Sequence, residues 1–228
     1  MMLSDVMEDY LKAIYQLQRE RDDRIKTSEI ADELDVTSPT VTSMVEKLED
    51  RELVDREKYR GVTLTEEGET VALEVIRHHR LLEAYLTEHL DYDWSEVHDE
   101  ADRLEHHISE DFEARVADVL GEPEVDPHGS PIPGADLEPP ERTDDDPVSE
   151  FAEGDTVVVE EVADHDAEIL SYLADHGVEP GVELEIVEVA PFGMVTARPA
   201  DSEETVSLPE TVAHHVRVGR VSPAEVES

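Results

Sequence analysis

A proline-rich, acidic stretch between residues 122 and 150 divides this chain into two parts that favour different secondary structure. It contains seven prolines, at positions 123, 127, 131, 133, 139, 140 and 147, and shows no sustained apolar period. Because proline ends helices and cannot donate to a sheet interior, this stretch is predicted to be a linker. Apolar residues before it recur at helical spacing, whereas those after it form short strand-like runs. The chain is therefore predicted to carry helical domains first and a small β domain last.

The net charge of the chain indicates the ionic strength at which these domains fold. The 228 residues include 61 acidic and 18 basic ones, which gives a net charge of −43. Such an excess is typical of disorder, but 38% hydrophobic residues and clear periodic segments indicate folded domains. A salt-rich cytoplasm would screen the self-repulsion over about 3 Å at 1 M salt, so we expect a halophilic source. More than half of the basic residues precede residue 76, which is where a nucleic-acid surface is expected.

The chain contains no cysteine, and this restricts the chemistry available to it. Disulfide frameworks, thiolate zinc sites and cysteine nucleophiles are excluded, so any metal ligands must be His, Asp, Glu or water. No run approaches the roughly 18 apolar residues of a membrane span, and the first residues do not form a signal-peptide pattern. A cytoplasmic location is therefore predicted.

Residues 1–65 follow the order of a winged helix-turn-helix domain. A helix after Ser4 and a short helix over about 27–34 precede a third helix, for which Ser38 is the predicted N-cap and Pro39 the first helical residue. The third helix places an apolar stripe inward, formed by Val41, Val45 and Leu48. Two short strand-like runs with a charged, glycine-ended tip follow it. This order predicts DNA binding through the third helix and a wing.

The predicted DNA contacts come from the outward side of that helix and from the wing. Short polar side chains can approach base edges and phosphates without filling the major groove, and basic side chains at the wing can reach phosphates. The predicted contact residues are Thr37, Ser38, Pro39, Thr40, Thr42, Ser43, Lys47, Lys58 and Arg60.

Histidines are concentrated in the next segment, where helices are predicted over about 66–90 and 95–120. Six of the eleven histidines lie between residues 78 and 107. His79 and Glu83 are four residues apart, and Asp102, Glu105 and His106 have helical spacing, so each set shares one helix face. Together the two sets favour a metal site.

Two other functions are compatible with parts of this pattern. One is a winged-helix regulator that senses a small organic molecule, which needs an apolar pocket where this segment carries histidines and carboxylates. The other is a metalloenzyme or metal-storage protein. The sequence lacks a His-Glu-x-x-His pair and a serine-nucleophile motif, and such a protein leaves the winged helix unexplained.

Several segments resemble the diphtheria-toxin-repressor (DtxR) family of metal-activated transcriptional repressors. They are residues 7–11 with 14–15, 30–34, 38–41, 77–83, 97–106 and 126–134. The resemblance implies a repressor rather than an enzyme, and a homodimer that binds an operator in double-stranded DNA to control metal-homeostasis genes. The implied fold is mainly α with small β. The predicted parts are a winged helix-turn-helix domain (1–65), a helical dimerisation and metal-binding domain (66–121), the linker (122–150) and an SH3-like β-barrel of the FeoA type (151–221).

The resemblance also implies two sets of metal ligands. The primary set is Asp9, Asp102, Glu105 and His106, and the second is His79, Glu83 and His98, with Glu161 and Asp164 added from the SH3-like domain. Iron-type members carry Met and Cys at the positions of Asp9 and Asp102, so this chain has lost both soft ligands. Oxygen and imidazole ligands favour Mn(II), with Fe(II) as the alternative.

One departure from the manganese-type members concerns the number of ions in the primary site. Those members carry Glu where this chain has Lys12. This difference favours two separated sites over a binuclear cluster.

Overall fold

The structure, a computed structural model, describes residues 3–20, 23–141, 145–163, 167–200 and 202–221. These residues form two compact units. The first comprises the described residues of Met1–His79 together with Asp102–Arg115 and Ile132–Pro140, and the second comprises Arg80–Ala101, Val116–Pro131 and the described residues of Glu141–Ser228. No helix among them combines the length and the apolar character that crossing a membrane requires.

The first unit begins with the predicted winged helix. Three helices, α1 (Asp5–Glu20), α2 (Thr27–Glu33) and α3 (Ser38–Glu49), precede a hairpin of β1 (Val54–Glu57) and β2 (Gly61–Leu64). Their apolar faces meet in one core because each helix repeats its apolar residues at three- and four-residue spacing. The fully buried side chains of that core include Leu11, Ile14, Ile25, Ile30, Val41, Val45, Leu48 and Val62.

The prediction of Ser38 as the N-cap of α3 is wrong by one residue. Thr37 has extended backbone (φ −82°, ψ 145°) and its carbonyl accepts from the N–H groups of Thr40 and Val41 at 2.8 and 3.1 Å, so Ser38 is already helical. Pro39 does not distinguish the two positions, since no N–H in the first helical turn has an intrahelical partner. The outward face of α3 is unchanged by this shift.

The wing is an antiparallel hairpin that pairs Val54 with Leu64 and Glu57 with Gly61. Gly61 has φ +116°, and a Cβ there would lie 2.5 Å from the carbonyl oxygen of Ile25. Only glycine permits this approach, which lets Ile25 and Val62 exchange backbone hydrogen bonds at 2.9 Å. The base of the wing is thereby fixed to the segment before α2, while its tip stays exposed.

Helix α4 (Glu66–Leu90) confirms the predicted long helix, but the single helix predicted over 95–120 is wrong. The chain forms α5 (Val97–Leu104) and α6 (Glu110–Leu120), with a turn between them. The carbonyl of Ser109 accepts from the N–H groups of Phe112 and Glu113 at 2.9 Å, so a new helix begins after Ser109. Serine is a favoured N-cap, and it starts a separate helix here although apolar residues continue at helical spacing across it. Glu105 and His106 consequently lie in a turn.

The second unit contains an antiparallel sheet in the strand order β3-β8-β4-β5-β6-β7. The strands are β3 (Asp146–Pro147), β4 (Thr156–Val162), β5 (Glu183–Val189), β6 (Val195–Pro199), β7 (Val206–Leu208) and β8 (Val216–Arg220), with helices α7 (Ala167–Asp175) and α8 (Glu210–Ala213) between them. Alternate strand residues such as Val157, Val159, Leu184 and Ile186 are fully buried in one core. Among the described residues β3 and β7 are the two ends of the sheet, so barrel closure stays a prediction.

The segment between α6 and β3 forms no helix or strand over its described residues 121–141, apart from a bridge between Val125 and Pro131. It is nevertheless packed, because Asp126, His128 and Ser130 are buried. One oxygen of Asp126 accepts from the backbone N–H groups of His128 and Ser130 at 2.8 and 3.0 Å, which shapes a tight turn. Part of the predicted linker is therefore an ordered loop.

Candidate metal centres and nucleic-acid interface

The first group of potential metal ligands joins α1 to the turn after α5. His106 places Nε2 2.9 Å from Oδ1 of Asp9 and 3.4 Å from Oε1 of Glu105, while its Nδ1 lies 2.7 Å from Oε2 of Glu8. One ligand atom from each of Asp9, Glu105 and His106 lies within 4.8 Å of the other two. Three of the four predicted primary ligands are therefore brought together within the first unit.

The protonation of His106 follows from these contacts. The hydrogen bond to Asp9 raises the pKa of His106, burial opposes it, and Glu8 adds to it, so that the pKa reaches about 9. Both ring nitrogens contact carboxylates, so the imidazolium form donates from each of them. The Nε2 proton thus occupies the place between His106 and Asp9 in which a cation would be bound.

The second group lies next to the first and shares Glu105 with it. His79, Asp102 and Glu105 offer ligand atoms within 4.8 Å of one another. His79 Nδ1 lies 2.5 Å from Oε2 of Glu105 and 3.2 Å from Oδ1 of Asp102. Lys12 reaches the same point, since its Nζ donates to Glu105 at 2.8 Å and to Asp102 at 3.1 Å. The predicted ligand Asp102 is thus engaged here by Lys12 and His79.

A buried network holds the turn that carries Glu105 in place. His78 donates from Nδ1 to the backbone carbonyl of Glu105 at 3.0 Å, and its Nε2 lies 3.2 Å from Glu113 on α6. Arg77 donates to the same Glu113 at 2.5 Å and to the carbonyl of Pro133 at 2.6 Å. Neighbouring histidines thus have different positions: His78 orients the turn, and His79 faces the carboxylates.

The third group lies in the second unit, and sequence reasoning predicted Glu83 as a ligand but missed Asp126 and His128. Glu83, Asp126 and His128 are buried and offer ligand atoms within 4.8 Å of one another. His128 donates from Nε2 to the carbonyl of Trp94 at 2.9 Å, so in the neutral ring Nδ1 carries the lone pair. That Nδ1 lies 3.6 Å from Oε2 of Glu83, and His98 Nδ1 lies 3.1 Å from Oε1. This donor set fits a divalent cation, because a carbonyl-bound second nitrogen is the usual arrangement of a ligating histidine.

Three further ligands were predicted for the second set, and the structure treats each of them differently: Glu161, Asp164 and His79. Glu161, on β4, accepts a hydrogen bond from Ser130 at 2.5 Å, which places it beside the loop that carries Asp126 and His128. Asp164 lies outside the described residues. His79 precedes Glu83 by one turn of α4, and its role with Glu83 stays a prediction.

The predicted DNA contacts form an exposed polar surface on α3 and the wing. Thr42 is half-buried and donates to the carbonyl of Ser38 at 3.0 Å, whereas the other predicted contact residues are exposed. At the wing tip, Arg60 pairs with Glu57 at 2.8 Å and Lys58 Nζ lies 5.2 Å from the ring of Tyr59. Among the predicted contact residues, those from Thr37 to Ser43 have short side chains, and the cations follow at Lys47 on α3 and at Lys58 and Arg60 on the wing.

A winged helix whose first helix shares a carboxylate–histidine cluster with a following turn defines a class of protein, the metal-responsive DNA-binding regulators. Comparisons with known families agree with this class. Residues 2–62 match the family described as "Iron dependent repressor, N-terminal DNA binding domain", residues 65–134 its "metal binding and dimerisation domain", and residues 147–220 the "FeoA domain".

Individual proteins agree over nearly the whole chain. The "Iron-dependent repressor IdeR" of Mycobacterium tuberculosis is 37% identical over 230 residues, covering 96% of this chain and 99% of that protein. The "Diphtheria toxin repressor" of Corynebacterium glutamicum is 35% identical over 228 residues, covering 96% and 98%.

Solved structures give the same result. A "Manganese-dependent transcriptional repressor complex with manganese" is 36% identical with a TM-score of 0.87, covering 94% of this chain and 100% of that one. The structure of "the manganese regulator SloR" is 33% identical with a TM-score of 0.76, covering 94% and 98%. The chain belongs to the iron-dependent repressor (DtxR) family of metal-responsive, DNA-binding transcriptional repressors, which are not enzymes.

Proposed function

We propose that the chain is a homodimeric repressor activated by Mn(II), with Fe(II) as the alternative ion, and that Asp9, Glu105 and His106 hold the regulatory ion. The observation that carries this proposal is the contact of His106 with both Asp9 and Glu105 within one unit. Glu8 is the positioning residue, since its carboxylate accepts a hydrogen bond from Nδ1–H of His106 and so leaves Nε2 to bind the ion.

The donor set supports the choice of metal. It consists of carboxylate oxygens and one imidazole, without sulfur, and such hard ligands suit Mn(II) and Fe(II). One solved relative is described as a manganese-dependent repressor in complex with manganese, whereas curated relatives are described as iron-dependent repressors. The absence of a thioether or thiolate at Asp9 and Asp102 favours manganese.

The mechanism follows from the position of Asp9 on α1, the first helix of the DNA-binding domain. A bound divalent ion supplies the positive charge that neutralises Asp9 and Glu105. Without it, His106 contacts both carboxylates, and Lys12 and His79 contact Glu105. Neutralisation favours the arrangement that holds α1 against the turn, and with it the orientation of α3 in each protomer. Two recognition helices about 34 Å apart, or a multiple of it, can then meet successive major grooves.

Exposed apolar side chains support dimer formation. Phe112 and Val119, seven residues apart on one face of α6, are 43% and 59% exposed. The matched family region is described as a dimerisation domain. We place this dimer in the cytoplasm, together with its operator and the metal-homeostasis genes that it controls.

We also propose a second ion at Glu83, His98, Asp126 and His128. Glu161 lies beside this loop because its carboxylate accepts a hydrogen bond from Ser130, and the roles of His79 and Asp164 stay predictions. Gly129 supports the loop, because its φ of +89° and its approach to the carbonyl of Glu160 exclude any Cβ. The C-terminal module, which we interpret as an SH3-like barrel, thus contacts the loop that bears two ligands.

Operator recognition by so acidic a protein must depend little on counterion release. Basic repressors with 6–10 phosphate contacts lose about 10³–10⁵ in affinity between 50 and 200 mM salt. Here Thr40 and its neighbours carry recognition at short range, while Lys58 and Arg60 position the duplex. We expect a much flatter dependence of operator affinity on KCl, measured by fluorescence anisotropy, and a steep dependence would contradict this interpretation.

The central test compares Asp9→Ala and His106→Ala with Asp5→Asn, an exposed acid on the same helix. Operator DNA from genome-wide binding sites is titrated with each protein, with and without Mn(II). A coupling of about 1–3 kcal/mol gives about 5–150-fold stimulation in the unmodified chain and in Asp5→Asn. The stimulation is expected to vanish in the other two variants, with the dimer still folded. Full stimulation in both would refute the proposed centre.

A further inference from the structure

Lys12 occupies the second of two cation positions that share Glu105. We propose that its ammonium group takes the place of a second metal ion and restricts this cluster to one ion per protomer. This inference rests on the proposed function of the Asp9 centre. It concerns the number of ions bound there, rather than whether an ion is bound.

The first support is geometric. The ligand atoms of His79, Asp102 and Glu105 converge within 4.8 Å of one another, as a metal site requires. Lys12 Nζ lies 2.8 Å from Oε2 of Glu105, 3.1 Å from Oδ1 of Asp102 and 3.2 Å from Nδ1 of His79. The nitrogen therefore contacts every member of the set, at the point where a shared cation would lie.

The second support is the orientation of Glu105, which is 1% exposed. Its Oε2 contacts Lys12 and His79, whereas its Oε1 faces Nε2 of His106. A carboxylate that presents one oxygen to each of two cation positions is the bridging ligand of two-metal sites, in which the ions lie about 3.5–4 Å apart. In this chain one of the two positions is filled by a side chain.

The third support is that helix α1 supplies one side chain to each of the two cation positions. Asp9 and Lys12 are three residues apart on α1 and hence on one face. The side chain of Lys12 is only 12% exposed, and the carboxylates of Glu105 and Asp102 lie 2.8 and 3.1 Å from its Nζ. A divalent ion at this point would have to displace a tethered cation that is already paired with two carboxylates.

The experiment counts manganese ions in the full-length chain. The background carries Glu83→Gln and His128→Gln, which weaken the other candidate centre. With Lys12 present we expect about one Mn(II) per protomer and an isolated six-line electron paramagnetic resonance spectrum. In Lys12→Gln we expect about two ions with an exchange-coupled spectrum, as for a bridged pair. Lys12→Arg, which keeps the charge, is expected to bind about one.

Three results would overturn the proposal: a coupled pair with Lys12 present, a single ion in folded Lys12→Gln, or a coupled pair in Lys12→Arg. If Lys12→Gln does not fold, a measurement on the unmodified chain still tests the proposal. After loading with diamagnetic Zn(II), retention of the hydrogen-bonded Lys12 ammonium resonance supports the proposal, and its loss shows displacement by the ion. If the Asp9 centre itself is wrong, the result is different. The Glu83→Gln, His128→Gln protein then binds no manganese, and Mn(II) does not change its affinity for operator DNA.

Discussion

Metal binding at the Asp9 centre should release one proton per protomer at neutral pH. The pKa of His106 is raised to about 9, chiefly by its hydrogen bond to Asp9, so at pH 7 about 99% of the ring is protonated, against about 24% at the ordinary pKa of 6.5. Its Nε2 must lose that proton to become a ligand. The expected release is therefore about one proton per ion, where an unperturbed histidine would release about a quarter.

The same shift sets the pH dependence of affinity. Two pH units below the pKa, competition by the proton costs about 3 kcal/mol, or about 100-fold in apparent affinity, and the loss is about tenfold per further pH unit. Calorimetric titration of Mn(II) at pH 7 in two buffers of different ionisation enthalpy measures the released protons directly. The Glu83→Gln, His128→Gln background limits the signal to this centre.

Glu8→Gln provides the matched variant for this prediction. It removes one of the carboxylates that raise the pKa of His106, so it should release fewer protons at pH 7 and flatten the decline in affinity between pH 8 and pH 6. Release of only about a quarter of a proton by the unmodified centre, with affinity independent of pH above 7, would refute the reasoning.

Three further predictions concern stability. In the metal-free protein, the raised pKa of His106 stabilises the fold fully below pH 6.5, and this contribution is lost as the pH rises through about 9. Chemical denaturation over this range should show that the free energy of unfolding falls by about 3 kcal/mol, and that His106→Gln removes this fall. Arg77→Met should lower the free energy of unfolding by about 3–5 kcal/mol, because Glu113 is left without its 2.5 Å partner; a loss below 1 kcal/mol would show that the pair is unimportant. Gly129→Ala should lower the melting temperature and weaken the second metal centre, since its Cβ would lie 1.9 Å from a backbone oxygen; unchanged manganese binding would contradict the assigned position of the loop.

Local signals in the sequence were sufficient to predict the winged helix. Val41, Val45 and Leu48 have helical spacing and are fully buried, and the long α4 ends at Leu90 as its periodicity indicates. The same reliance on periodicity produced the error over 95–120. Ser109 is a normal N-cap, but apolar and acidic residues continue on both sides of it at helical spacing, so the interruption is recognisable only from the backbone hydrogen bonds.

The candidate sites were predictable where ligands share a local segment and not where tertiary packing assembles them. Glu105 and His106 stood out as neighbours in a histidine-rich region. Asp126 and His128 lie in a proline-rich stretch whose composition suggests an exposed linker, and their burial depends on a loop that packs against β4. Lys12 was recognisable as unusual from the sequence, but its contacts with side chains 67 to 93 positions away could not be deduced from spacing.

The interruption between α5 and α6 has an evolutionary consequence. On a continuous helix, adjacent residues point about 100° apart, whereas this turn directs His106 to one cation position and Glu105 to both of them through a single short piece of backbone. A substitution that moves the turn therefore alters both positions at once. Which ion such a repressor prefers and how many it takes up should change together among descendants, as linked rather than independent traits.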